Sequence, residues 1–176
     1  GPSVHPLNID AANGRAARGL CEEPGSIEEA FGAVGVGGLA AVWGRVAHAV
    51  WIGCGAIGVE PAAGDDARPS LAVGRIVQMA VPKTLADGAQ TTALSPLTFG
   101  LVSRLLREIV TVEDARLVAT MRTLAERMKI IVEPTGCLGV AAALAAAPQW
   151  QGRRVGVIIS GGNVGMGRFS RLIQTY

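Results

Sequence analysis

The chain has 176 residues, about the size of one domain and long enough to enclose a hydrophobic core. With 49% hydrophobic and 17% charged residues it is not a disordered tail, and a net charge of +2 is too balanced for a nucleic-acid binder. Aromatics at 4% rule out extended stacking platforms, while 24 glycines, roughly twice the usual share, suit an α/β protein with tight strand-to-helix turns.

In chain order, residues 1–24 carry no strong period beyond a short helix over 11–23. Residues 27–36 run apolar into glycines and 39–50 resume with helix formers, which predicts strand, turn and helix. Residues 51–59 predict a strand and 60–66 a loop. Residues 73–81 fit strand or helix equally, 82–90 read as a loop, and the leucines at 97, 101, 105 and 106 predict a helix. Thr111 with Asp114 is a capping-box signal for a helix continuing through Leu117, Val118, Met121, Leu124, Ala125 and Met128. A short strand follows over 130–132, then a buried helix over 136–147. Residues 155–159 form a strand with no polar face, as expected of a parallel sheet between helices. The predicted class is α/β, a three-layer α/β/α arrangement around a mostly parallel sheet, in one domain over 1–176.

The cysteines Cys21, Cys54 and Cys137 are odd in number and widely spaced, which argues against a disulfide framework or a zinc site. No basic-then-apolar leader opens the sequence. The uncharged run 134–152 is Ala-rich and interrupted by Pro and Gly, so it reads as a buried helix and not a membrane span. A cytoplasmic protein without nucleic-acid or membrane partners is expected.

Three loops carry candidate chemistry. Gly35-Val36-Gly37-Gly38 lies between a strand and a helix, where backbone amides and the helix dipole converge on an anion; such a turn also serves simply for close packing. It matches neither the dinucleotide fingerprint nor a P-loop. Ser160-Gly161-Gly162-Asn163 follows the most hydrophobic strand, so Ser160 either presents its hydroxyl to a ligand or caps the turn. Glu60, Gly64, Asp65 and Asp66 offer oxygen ligands for a hard cation, or form a solvated acidic loop.

Taken in order, Val4-His5-Pro6, the first glycine loop, Gly58-Val59-Glu60-Pro61, Thr84-Leu85-Ala86-Asp87-Gly88, Glu126-Arg127-Met128-Lys129, Glu133-Pro134-Thr135-Gly136 and residues 155–163 resemble the serine racemase and serine/threonine ammonia-lyase (threonine dehydratase) branch of the pyridoxal-phosphate enzymes with the tryptophan-synthase-β-like fold. The resemblance spans nearly the whole chain but only the C-terminal part of a family member, most of its large domain. It implies that Gly35, Gly37 and Gly38 cradle the cofactor phosphate and that Ser160, with Gly161 beside it, meets the pyridine nitrogen. It places Glu133 in the lining of the cofactor pocket. A serine hydroxyl leaves that nitrogen largely unprotonated, which suits elimination over transamination. Glu60, the Gly64 carbonyl and Asp66 match a site for Mg2+, Ca2+ or Mn2+.

Three departures qualify what the resemblance implies. The lysines are Lys83 and Lys129, and no segment resembles the family's Ser-Phe-Lys-x-Arg-Gly stretch that supplies the Schiff-base amine, nor its Ser-x-Gly-Asn-His carboxylate loop. Val36 replaces a phosphate-loop glycine, where a positive φ would be strained. The resemblance implies an ammonia-lyase of L-threonine, L-serine or another 3-hydroxy amino acid, yielding a 2-oxo acid and ammonia. This chain alone is expected to be inactive, with no catalytic lysine. The other reading is a non-catalytic module, either a subunit that pairs with a lysine-bearing chain or a binding protein that keeps a phosphate pocket; the resemblance also implies a homodimer.

Overall fold

Alternation along the strands places two cores on either side of one sheet. In β1 (Glu29–Ala33) Phe31 and Ala33 face one core and Ala30 the other; in β2 (Gly55–Pro61) Ile57 and Val59 face the first and Ala56 the second. Every residue of both strands is buried, as period-2 strands must be when helices cover both faces. The computed structural model describes residues 26–175. The helix expected over 11–23, the Val4-His5-Pro6 stretch and Cys21 lie outside the described residues.

After β1, the Gly-rich turn leads into α1 (Gly38–Val50), and β2 is followed by α2 (Ala67–Val73). Then come α3 (Pro96–Leu105), β3 (Glu108–Val112), α4 (Asp114–Thr123), α5 (Leu138–Ala145), β4 (Val155–Val157) and α6 (Met166–Thr175). All pairings are parallel, in the order β3-β2-β1-β4. Trp43 of α1, Val102 of α3 and Leu106 fill one core; Leu117 and Met121 of α4, Leu138 and Ala141 of α5 and Phe169 of α6 fill the other. The three-layer α/β/α arrangement with a parallel sheet is therefore what the chain adopts.

Several local expectations are corrected. Residues 51–54 turn, through Cys54 N–H donating to the Trp51 carbonyl, and the strand starts at Gly55 and runs on through Glu60. Of residues 73–81, Val73 ends α2 and 76–81 take no regular structure, because their backbone bonds go elsewhere: Val77 N–H donates to Ser70 Oγ of α2 and Met79 N–H to the Thr92 carbonyl; 82–86 are irregular, as read. Thr111 lies in β3 and caps nothing. The capping box is at α3 instead, where Ser95 Oγ accepts from Thr98 N–H (3.2 Å) and Thr98 Oγ1 from Ser95 N–H (3.0 Å). The helix read to Met128 widens after Thr123 and ends at Lys129, held at φ 60°. No strand forms over 130–132, since the chain runs straight from that end into the tight turn Thr135–Cys137 preceding α5.

At the amino edge of the sheet the buried Glu29 carboxylate accepts from Arg107 (2.8 Å) and Arg153 (3.4 Å), and both guanidinium groups lie over the Trp150 ring. That clamp closes the end of the sheet away from the candidate site. Among the described residues no helix is long and apolar enough to cross a membrane.

Candidate functional site

The two glycine loops sit together. The 35–38 loop leaves the carboxyl end of β1 and the 160–163 loop that of β4, its parallel neighbour in register Phe31 with Val157. In open parallel sheets this edge is where ligands gather. Between the loops run two further segments. Gly88 N–H donates to Thr135 Oγ1 at 3.0 Å, and the Gly88 carbonyl stands 3.6 Å from where a side chain on Gly35 would begin. On the other side Gly136 packs so closely on the Ser160 and Gly161 carbonyls that no side chain fits there. The four segments follow one another in contact, from Gly35 through Gly88 and Thr135–Gly136 to Ser160 and Gly161, in a ring closed only by the pairing of β1 with β4 beneath the two glycine loops.

The first loop is built for close approach. Gly37 has φ 84°, and a Cβ on it would lie 2.7 Å from Thr98 Cβ. Gly37 N–H closes the turn on the Val34 carbonyl at 3.0 Å. Among the described residues no acceptor takes the amides of Gly35, Val36 or Gly38, which stand at the N-terminus of a 13-residue helix with no acidic residue in its first turn. Amides and dipole there favour an anion. Val36 keeps a negative φ and is largely exposed, so the strain expected of a valine in this loop does not arise.

Opposite, Gly161 has φ 90°, and a side chain on it would collide with Glu133 Oε1. Glu133 is half-buried, and burial, with the charge of Asp87 added, raises its pKa against the opposing pull of the Asn163 amide and Arg168. Ser160 is half-buried between Gly161 and β4. Gly35, Gly37, Gly38, Glu133, Ser160 and Gly161 are thus brought to one edge.

Glu60, Gly64 and Asp66 form a separate group at the end of β2. Glu60 is fully buried, its Oε1 accepting Ala67 N–H at 3.1 Å and its Oε2 Arg68 N–H at 3.0 Å. Burial, with Asp66 and Asp65 adding repulsion, lifts its carboxyl to about 8 against those two amides. Asp66, also fully buried, accepts the Thr91 hydroxyl on Oδ1 at 2.5 Å, while Oδ2 has no partner among the described residues. Two buried acids with one unsatisfied oxygen suit a hard cation, because each carboxylate oxygen retains a lone pair. Among the described residues no cluster of three or more His, Cys, Asp or Glu forms a metal centre, so any ion here would lean on the Gly64 carbonyl and water.

Sequence reasoning misses three tethers. Asp114, read as a cap, instead accepts Thr84 Oγ1 (2.5 Å) and Leu85 N–H (2.8 Å). Thr135 stands out only as part of a motif, and Arg168 gives no signal: Met166, Phe169, Leu172 and Ile173 recur at helical spacing and mark α6, but Arg168 lies off that apolar stripe.

The family model for pyridoxal-phosphate dependent enzymes matches residues 1–161. The chain is 45% identical over 173 residues to the L-threo-3-hydroxyaspartate ammonia-lyase of Saccharomyces cerevisiae, covering 98% of this chain and 53% of that protein. It is 42% identical to the serine racemase of Schizosaccharomyces pombe, again covering 98% and 53%. Its structure is similar to that of the T.th. threonine deaminase, with a TM-score of 0.86 at 33% identity over 92% of this chain and 60% of that one. The chain spans about half the length of the curated relatives it matches. With its parallel sheet and ring of glycine loops, it belongs to the pyridoxal-phosphate-dependent enzyme family, on the tryptophan-synthase-β-like fold.

Proposed function

We propose that the loops at the carboxyl edge hold pyridoxal phosphate, as part of a lyase or racemase acting on L-serine, L-threonine or another 3-hydroxy amino acid. The supporting observation is that the 35–38 and 160–163 loops leave neighbouring parallel strands and are joined into one ring through Gly88 and Gly136. The relatives named for 3-hydroxyaspartate and serine support the substrate class. When bound, the cofactor supplies a conjugated ring that draws electron density from the substrate Cα.

The chain's own residues do the rest. The amides of Gly35, Val36 and Gly38 hold the phosphate, Gly37 shapes the turn that presents them, and α1 adds its dipole. The Ser160 hydroxyl donates to the pyridine nitrogen and leaves it uncharged. Glu133 lines the ring beside Gly161, whose missing side chain makes room for it. Glu60, Asp66 and the Gly64 carbonyl hold Mg2+, Ca2+ or Mn2+ near Pro82 and Thr91.

Covalent attachment of the cofactor needs a lysine amine. Lys129 donates to the Glu126 carbonyl at the surface, and Lys83 is exposed beside Pro82. We therefore expect the 176-residue chain to bind the cofactor without turnover. Calorimetry with pyridoxal phosphate tests binding, and ammonia release from threonine, serine and 3-hydroxyaspartate tests turnover. Absence of binding would refute the cofactor reading; steady ammonia release would refute inactivity.

A second reading, a partner or self-associating subunit, is favoured by the sheet edge at β4, which pairs with no further strand among the described residues. There an apolar groove of about 300 Å³ is lined by Val140, Ala143, Leu144, Val155 and Val157. Sedimentation of the purified chain distinguishes the two: a monomer over the micromolar range argues against self-association.

A further inference from the structure

Helix α6 starts just beyond the 160–163 loop, and Arg168 in its first turn reaches to a different segment of the ring. Its Nη1 donates to Asp87 Oδ2 at 2.6 Å and its Nη2 to the Leu85 carbonyl at 3.3 Å. The segment held this way is the one whose Gly88 amide binds Thr135 and whose Gly88 carbonyl faces Gly35. We propose that Arg168 is a positioning residue, a latch from α6 that fixes the 84–88 segment between the two glycine loops and balances the Asp87 charge beside Glu133. The inference rests on the cofactor reading for what the loops hold, but its geometry and charge balance do not need a bound ligand.

Attraction alone does not explain the contact. The Arg168 and Asp87 side chains are 39% and 48% exposed, where solvent screening leaves an ion pair little net strength. What Arg168 adds is shape: a planar fork takes a carboxylate and a carbonyl at once, which a lysine ammonium does not reproduce. It also adds charge at a sensitive place. The groups facing Glu133 are Asp87 from the 84–88 segment, Arg168 from α6, the Asn163 amide and the protonated Cys137 thiol from the following turn. Asp87 opposes ionisation of Glu133 and Arg168 favours it.

The test follows the carboxyl carbon of Glu133 by NMR through a pH titration, in the cofactor-free chain, for the parent, Arg168→Met, Arg168→Lys and Asp87→Asn. Arg168→Met is expected to raise the Glu133 midpoint by about half a pH unit and Asp87→Asn to lower it by a similar amount. Arg168→Lys restores the midpoint through its charge. The Leu85 and Gly88 amides exchange faster in both Arg168 variants, because neither keeps the fork. Pyridoxal phosphate affinity is expected to fall about tenfold in Arg168→Met. An unmoved Glu133 midpoint in both Arg168→Met and Asp87→Asn, or unchanged amide exchange in Arg168→Met, overturns the latch. Should Arg168→Met fail to fold by circular dichroism, Asp87→Asn, which keeps the Leu85 bond, decides the charge balance by the direction of its shift. If the titrations move as expected while the parent binds no pyridoxal phosphate, the latch stands and the cofactor reading falls.

Discussion

Thr135 Oγ1 accepts the Gly88 amide proton at 3.0 Å across 47 residues of sequence. Thr135 is 8% exposed while Gly88 lies at the surface, so the bond is part-buried. It joins the 84–88 segment to the turn before α5, and through it the Gly35 side of the ring meets the Ser160 side. Thr135→Val keeps the volume and removes the acceptor. Leaving the Gly88 amide unpaired in a part-buried place is expected to cost about 1–3 kcal/mol. Thr135→Ser keeps the acceptor and is expected to restore most of the loss. Chemical denaturation of the three proteins measures this, and equal midpoints for Val and parent would show that the bond contributes nothing.

Asp114 does a similar service from α4. Its two oxygens take the Thr84 hydroxyl at 2.5 Å and the Leu85 amide at 2.8 Å, while the N-cap position of α4 is Glu113. Asp114→Ala is therefore expected to speed hydrogen exchange at Leu85 and Ala86 severalfold, with α4 amides little changed. A charge-assisted bond of this kind is worth about 1.5–3 kcal/mol. Exchange that instead accelerates through α4 and spares Leu85 would mean Asp114 acts as an ordinary helix-start residue.

Glycine position matters differently at two sites with nearly the same backbone. Gly53 has φ 87° with nothing within 4 Å of a would-be Cβ, while Gly161 has φ 90° with the Glu133 carboxylate in the way. Gly53→Ala therefore reports the left-handed backbone cost alone, about 1 kcal/mol. Gly161→Ala adds displacement of Glu133 and is expected to destabilise by about 2–4 kcal/mol. Equal losses in thermal melts of both variants would mean that Glu133 swings away freely and that its place beside Gly161 is not fixed.

How much of this is legible beforehand follows from where the signals reside. The Gly-rich turn between β1 and α1 and the apolar run of β4 are local patterns, and both appear where the sequence puts them. β3 is hidden because Glu108 and Thr111 interrupt its apolar positions, and Thr111 three residues before Asp114 imitates a capping box. The helix start at Ser95 is hidden for the opposite reason: its reciprocal partner is Thr98, not the Glu or Gln of the usual box. The site residues come from the resemblance, with the composition only permitting them. The tethers are beyond reach. Asp114 to Leu85 and Arg168 to Asp87 span 29 and 81 residues, and nothing in the local sequence of either partner announces the other.

The buried thiols set an alkaline limit on stability. Burial pushes the Cys54 thiol up to about 11, with Glu29 adding to the effect, and the Cys137 thiol up to about 12, with Glu133 adding. A raised folded pKa means the native state holds its protons longer than the unfolded state. The stability this contributes is complete below the unfolded thiol value, about 8.5, and is lost as pH rises toward 11–12. At about pH 8 neither thiol is expected to react with iodoacetamide in the native protein, and both are expected to react once denatured. Peptide mapping reads this directly; native-state labelling of Cys137 under those conditions would mean the turn before α5 opens readily.

The acidic pair at the end of β2 gives the ligand-dependent outcome. Asp66 Oδ2 is buried without a partner among the described residues, beside a buried Glu60 whose own oxygens face the Ala67 and Arg68 amides. A divalent cation bound to the native state alone stabilises by about 2.7 kcal/mol at a hundredfold excess over its Kd. Millimolar Mg2+, Ca2+ or Mn2+ is expected to raise the melting temperature, and a chelator to reverse the rise. Asp66→Asn keeps an oxygen for the Thr91 hydroxyl while removing the charge, so this variant is expected to fold and to lose the cation response. Melting curves of parent and variant, each with and without the ion, make the comparison. A parent insensitive to all three cations would mean that Glu60 serves only to hold the start of α2 and that Asp66 keeps its unpaired oxygen unaided.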